Sequence, residues 1–207
     1  MEAVDWVVVL DVLGIIAFAA GGAFSALKAT RLDVTGVLTL GLITALGGGI
    51  IRDLLIGAVP PQALTTWYYP VAALAGSLLP FLAPDPSHVL KRTIALIDAV
   101  GLSLFAVAGA QKALVLGLGP GVAIAMGGIT AVGGGILRDL MVRKVPVVLR
   151  RDFYLIPALV GAAVLVVAAE LGYQSPLMTV IAGAVTFVLR VAGMRWKLQA
   201  PTFGSTE

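Results

Sequence analysis

Seven apolar stretches, each about as long as a bilayer is thick, dominate this chain: 6–27, 34–57, 66–83, 93–114, 120–142, 153–172 and 176–194. A hydrocarbon core of about 30 Å is crossed by roughly 20 residues of α-helix. Inside it no water satisfies an exposed peptide group, so a spanning segment must satisfy its own. Each stretch is therefore predicted to be a transmembrane helix. Composition agrees, since only 12% of the residues are charged and mean hydropathy is +1.04. Soluble domains carry about 25% charged residues. The links are short and carry breakers at Pro60-Pro61, Pro84-Asp85-Pro86 and Gly119-Pro120, while Pro70 and Pro157 lie inside spans, as is ordinary in membrane helices. The prediction is an all-α integral membrane protein whose residues 1–207 form one transmembrane domain. The opening MEAVDW has no basic segment, so the first run reads as a retained span.

Orientation follows the basic residues. Lys28, Arg31, Lys91, Arg92, Arg143, Lys144, Arg150, Arg151, Arg190, Arg195 and Lys197 fall on one side, and Lys112 alone falls on the other. Arg52 and Arg138 lie within spans. This places the N-terminus outside and the C-terminus in the cytoplasm, as an odd number of spans requires.

The chain is also duplicated. ITALGGGIIRDL (43–54) returns as ITAVGGGILRDL (129–140), identical at ten of twelve positions. Upstream, residues 11–27 match 98–114 at eight positions, among them Asp11/Asp98, Gly14/Gly101 and Phe18/Phe105. Downstream, WYYP (67–70) echoes FYLIP (153–157). Each copy holds three spans, and three is odd, so the second copy enters the membrane from the opposite face. The predicted architecture is seven transmembrane helices as two inverted three-helix repeats, about 5–84 and about 92–172, plus a seventh helix at about 176–194. Inverted repeats of this kind are frequent in transporters.

The triplets Gly47-Gly48-Gly49 and Gly133-Gly134-Gly135 fall near the middle of the second and fifth spans. Each glycine costs about 1 kcal/mol of helix propensity relative to alanine. Two readings fit. The triplets kink or unwind the helix beside a pathway, or they let two helices pack closely. The Arg52-Asp53 and Arg138-Asp139 pairs favour the first, because a charge at such depth costs about 2.5–3.5 kcal/mol and faces the bundle interior or water. A purely structural ion pair is the alternative. Lys112, whose counterpart in the first copy is Ser25, either snorkels to the interface or acts as a cationic gate or lipid contact. Asp11 and Asp98 sit toward helix N-termini and read as mainly structural, favoured there by the helix dipole.

Several classes are excluded. Cysteine is absent and His88 is the single histidine, so no metal or thiolate centre is expected. No catalytic triad, zinc motif or phosphate loop is present, so no enzyme activity and no cofactor are predicted. The basic residues form no long runs, which argues against nucleic acid.

Two copies of a three-helix unit, each with GGG-x-x-RD, followed by a seventh helix, resemble the bacterial and archaeal members of the trimeric intracellular cation (TRIC) channel family. These sequences have also been described as a glycine transporter family. The resemblance covers about residues 5–195. It implies a homotrimer, embedded in lipid, with a pore inside each protomer around the second and fifth helices. Carried onto this chain, it implies helix kinks at Gly47, Gly48, Gly49, Gly133, Gly134 and Gly135. The implied polar or gating residues are Arg52, Asp53, Lys112, Arg138 and Asp139. Animal members conduct potassium across the reticulum membrane. This chain has a short tail and the Arg-Asp form of the motif, so calcium regulation and phosphoinositide binding are not carried over. The expectation is a potassium channel in the inner membrane of a prokaryote. Secondary transport of a small zwitterion such as glycine is the alternative.

Overall fold

The computed structural model describes residues 6–29, 32–82, 91–150 and 153–198, without the side chains of Trp6, Val7, Lys28, Ala29 and Lys91. The breakers Pro84-Asp85-Pro86 and the residues His88, Arg31 and Arg151 lie outside the described residues. Every apolar run is helical: α1 (Trp6–Ala29), α2 (Val34–Leu55), α4 (Tyr68–Leu78), α5 (Lys91–Val115), α6 (Pro120–Met141), α7 (Leu155–Glu170) and α8 (Pro176–Trp196). An unanticipated four-residue helix, α3 (Gln62–Thr65), lies between α2 and α4.

Their starts follow from local chemistry. Asp33 caps α2, accepting the Gly36 N–H at 2.7 Å and the Thr35 hydroxyl at 2.8 Å. These bonds hold its carboxyl below the usual range. Ser175 caps α8 ahead of Pro176, and α6 opens on Pro120, where a missing N–H costs nothing. The ends of α2 and α6 are alike. Both pass into a left-handed residue, Gly57 (φ 72°) after α2 and Arg143 (φ 55°) after α6. The following N–H groups then bond back to Asp53 and Asp139 carbonyls.

Among the described residues five helices (α1, α2, α5, α6 and α8) are long and apolar enough to cross a membrane. The runs at 66–83 and 153–172 give shorter helices than expected. α4 has 11 residues and is continued by a 3-10 turn to Leu82, and α7 has 16. Sixteen residues rise only about 24 Å. The residues just before each are taken up by turns that reach back to α2 and α6.

α1, α2 and α4 pack as one trio, and α5, α6 and α7 as another. The trios join through α1 against α5 and α2 against α6, and α8 packs on α5 and α7. At the α1–α5 seam, Phe18 and Phe105 rings lie 5.0 Å apart. Phe105 fills the notch over Gly14, and Phe18 fills the one over Gly101. These residues centre the main core, with Ile15, Leu102 and Ala106.

Candidate functional site

The α-helical backbone runs unbroken through both glycine triplets. The expectation of unwound backbone is therefore corrected: continuous α2 and α6 cross at the triplets. Within a triplet each glycine has its own reason. A Cβ on Gly48 would collide with the carbonyl oxygen of Thr130, and one on Gly134 with that of Thr44. The middle glycines thus let the two backbones touch. A Cβ on Gly133 would stand 3.0 Å from the Cα of Gly48, and one on Gly47 would strike Leu137. The third glycines are less constrained: an added Cβ on Gly49 would be in ordinary contact with Arg52 Nη2 at 3.8 Å, and one on Gly135 would stand 3.2 Å from the Tyr154 hydroxyl. Thr44 and Thr130, both fully buried, turn their hydroxyls onto the carbonyls of Leu40 and Met126 at 2.6 Å and fill notches at Gly22 and Gly109.

On either side of this crossing lies a buried charge network. In the first, Arg52 Nε donates to Asp53 Oδ1 at 2.9 Å. Lys112 Nζ donates to the same oxygen at 2.8 Å and to Gln62 Oε1 at 3.0 Å. The second oxygen of Asp53 accepts the Gln62 backbone N–H at 2.9 Å. Nearby, the Tyr69 hydroxyl donates to Asp11 at 3.1 Å. These groups surround a cavity of about 30 Å³, walled also by Ile15 and Phe105. That is room for one water.

In the second network, Arg138 Nε donates to Asp139 Oδ1 and Nη1 to Asp98 Oδ1, each at 2.9 Å. Asp139 Oδ2 accepts the Val147 N–H at 3.0 Å. The walls are Val132, Ile136, Val148 and Tyr154, and they close without leaving space for a water. Burying two opposite charges is repaid only when geometry and remaining hydrogen bonds are good. Both pairs meet that condition, because each Asp shares its oxygens between an arginine and a backbone N–H.

Comparison with known proteins gives this geometry a setting. A family model described as Glycine transporter matches residues 8–84 and 95–170, dividing the chain where the duplication does. The UPF0126 inner membrane protein YadS of Escherichia coli K12 is 38% identical over 201 residues, covering 96% of each chain. A UPF0126 membrane protein of Streptomyces coelicolor is 48% identical over 192 residues, 93% of this chain and 88% of that one. Among solved structures, the TRIC trimeric intracellular cation channel orthologue from Rhodobacter sphaeroides superposes with a TM-score of 0.86 at 40% identity, covering 93% of this chain and 99% of that one. A second structure, solved for conductance through TRIC cation channels, gives 0.86 at 36% identity over 96% and 98%. The chain belongs to the TRIC family.

As a TRIC-family membrane protein, the chain gathers all its sequence-predicted polar residues around the α2–α6 crossing. Arg52, Asp53 and Lys112 form one cluster, and Arg138 and Asp139 belong to the other. Lys112 does not snorkel outward: its ammonium turns inward to Asp53. Asp11 and Asp98 depart from the dipole reading. Asp11 is in the second turn of α1 and Asp98 in the second or third of α5, and both are bound by side chains from other helices. Their pairing in the duplication was the signal for this. Gln62, Tyr69 and Tyr154 were missed because polar and aromatic residues near span ends are common anchors. Arg190, counted with the cytoplasmic flank, is instead buried against Phe153 and Tyr154.

Proposed function

We propose that this chain is a monovalent cation channel, conducting potassium, with one pathway inside each protomer around α2 and α6. The observation that carries the reading is the likeness, over more than nine-tenths of the chain, to solved TRIC cation channels. The site chemistry supports it. Arginines beside a cation path are an obstacle only if their charge is free, and Arg52 and Arg138 are each paired with the adjacent aspartate. The glycines 47–49 and 133–135 and the residues Arg52, Asp53, Lys112, Arg138 and Asp139 form the path in this reading. The arrangement is the shut one, closed at the first network, the glycine crossing and the second network.

The duplication makes residues 5–84 and 92–172 inverted three-helix repeats, with 176–194 a seventh span. The basic asymmetry places the first network toward the outside and the second toward the cytoplasm, in the inner membrane of a prokaryote. Three copies assemble within the lipid, as the Rhodobacter orthologue's description as trimeric suggests. No cofactor takes part. A purified sample in a planar bilayer under a potassium gradient tests the reading: discrete currents reversing near the potassium potential are expected. The family's description as Glycine transporter favours a second reading, transport of a small zwitterion. Saturable glycine uptake without unitary currents decides for that one.

A further inference from the structure

The two networks hold the same residue types in different pairings. In the first, Tyr69 donates to Asp11, while Arg52 faces Asp11 but, among the described residues, hydrogen-bonds Asp53. In the second, Asp98 takes Arg138 instead. There the Tyr154 hydroxyl is buried and has no hydrogen-bond partner among the described residues. Tyr154 is the positional equivalent of Tyr69. Each follows by seven residues the position, Gln62 or Val147, whose N–H binds the network's aspartate. Asp98 already stands beside the hydroxyl without a well-formed bond to it, and Arg138 and Arg190 are the other charges that face it.

α8, which has no counterpart in the duplication, supplies what holds Tyr154 in place. Arg190 is 7% exposed, donates Nη1 to the Phe153 carbonyl at 3.0 Å, and sets its guanidinium carbon 4.6 Å from the centre of the Tyr154 ring. A cation over an aromatic face is attracted to it. One turn on, Phe153 seats directly on Gly193, where an added Cβ would stand 3.0 Å from its ring. Among the described residues no cation lies over the ring of Tyr69: the edge of Tyr68 lies against it, ring centres 4.9 Å apart.

We propose that the second network opens by exchanging the partner of Asp98, from Arg138 to the hydroxyl of Tyr154, and that Arg190 is the positioning residue that holds Tyr154 back in the shut arrangement. The first network already displays the exchanged pairing, with tyrosine on the carboxylate and arginine on its neighbouring aspartate. After exchange Arg138 keeps Asp139, as Arg52 keeps Asp53, and the buried hydroxyl gains an acceptor. A buried hydroxyl without one disfavours the shut state, and the cation against the ring offsets this. Such a balance makes a two-position element. The link to ion flow rests on the channel reading, but the exchange itself does not.

The chain has no cysteine, so Ile136→Cys puts a single thiol in the wall of the second network. Its modification rate by a small water-soluble thiol reagent, in proteoliposomes, reports opening whether or not current flows. Tyr154→Phe removes a hydroxyl that the shut state leaves unpaired, so its melting temperature stays level or rises. Labelling slows about fivefold or more, the population change of one hydrogen bond's differential stability. Arg190→Gln carries no cation and ends two bonds short of the atom that donates to the Phe153 carbonyl, and it speeds labelling. A Tyr154→Phe rate equal to or above that of the parent overturns the exchange, even if Arg190→Gln fails to fold. A folded Arg190→Gln protein labelled no faster than the parent overturns the role of Arg190. Altered labelling without potassium currents supports the switch and removes the channel reading instead.

Discussion

Lys112 Nζ lies 2.8 Å from Asp53 Oδ1, tying the end of α5 to the end of α2 across 59 residues of sequence. The lysine also holds Gln62, so one ammonium clasps both sides of the turn that follows α2. Lys112→Met should loosen this clasp while leaving Asp53 bound to Arg52 and to the Gln62 N–H. Asp53 keeps Arg52 and the lysine side chain is 20% exposed, so the stability loss is below the ~3–5 kcal/mol of a buried charge left without a partner. Single-channel recording should show a higher open fraction at unchanged unitary conductance. A lower open fraction would assign Lys112 to conduction and not to closure.

The middle glycines should tolerate nothing larger than hydrogen. Gly134→Ala sets a methyl against the Thr44 carbonyl, and forcing α2 and α6 apart costs about 1–3 kcal/mol. Gly121→Ala in the same helix meets nothing within 4 Å and gains up to about 1 kcal/mol of helix propensity. Melting temperatures in detergent should therefore move in opposite directions. A neutral Gly134→Ala would mean that the crossing is looser than its geometry implies.

The two arginines should differ in cost. Arg138 joins two buried aspartates, and Arg138→Gln leaves Asp98 without its cation, a loss of about 3–5 kcal/mol. Arg52→Gln removes one of two cations from Asp53, which keeps Lys112, so the loss is smaller. Adding Asp98→Asn to Arg138→Gln should restore much of the yield and melting temperature. Equal losses in the two single variants would refute the asymmetry.

Arg143 occupies a left-handed conformation at φ 55°, where the first copy has Gly57. A residue with a Cβ pays about 1–2 kcal/mol there. Arg143→Gly should raise the melting temperature, provided its charge is not needed for insertion, which expression yield checks independently. A fall in melting temperature at normal yield would assign the guanidinium a stabilising contact of its own.

Much of this was legible before any coordinates. The seven apolar runs became helices because length and hydrophobicity are local properties, and lipid leaves a spanning backbone little choice. Two of them, α4 and α7, came out short, because each run loses residues at its ends: α4 begins at Tyr68 and gives way to a 3-10 turn after Leu78, and α7 runs only from Leu155 to Glu170. The duplicated GGG-x-x-RD motif located the crossing and both ion networks. The glycines were ambiguous between unwinding and close packing, since only a neighbour's position tells an absent side chain from a useful one. The echo of WYYP in FYLIP set Trp67 beside Phe153, whereas the hydrogen bonds of Gln62 and Val147 put Tyr69 in register with Tyr154.

By itself the sequence determined the long helices, the duplication and most of the charges buried among them, Arg190 excepted. Partners were decided only by tertiary structure. Asp98 and Arg138 are 40 residues apart, and Asp53 and Lys112 are 59. Such pairs form when helix packing brings their ends together. Two near-identical motifs then reach different pairings, tyrosine on Asp11 and arginine on Asp98, in surroundings that differ. Lys112 takes the place of Ser25 beside one motif, and α8 packs mainly on the second trio, where Arg190 meets Tyr154.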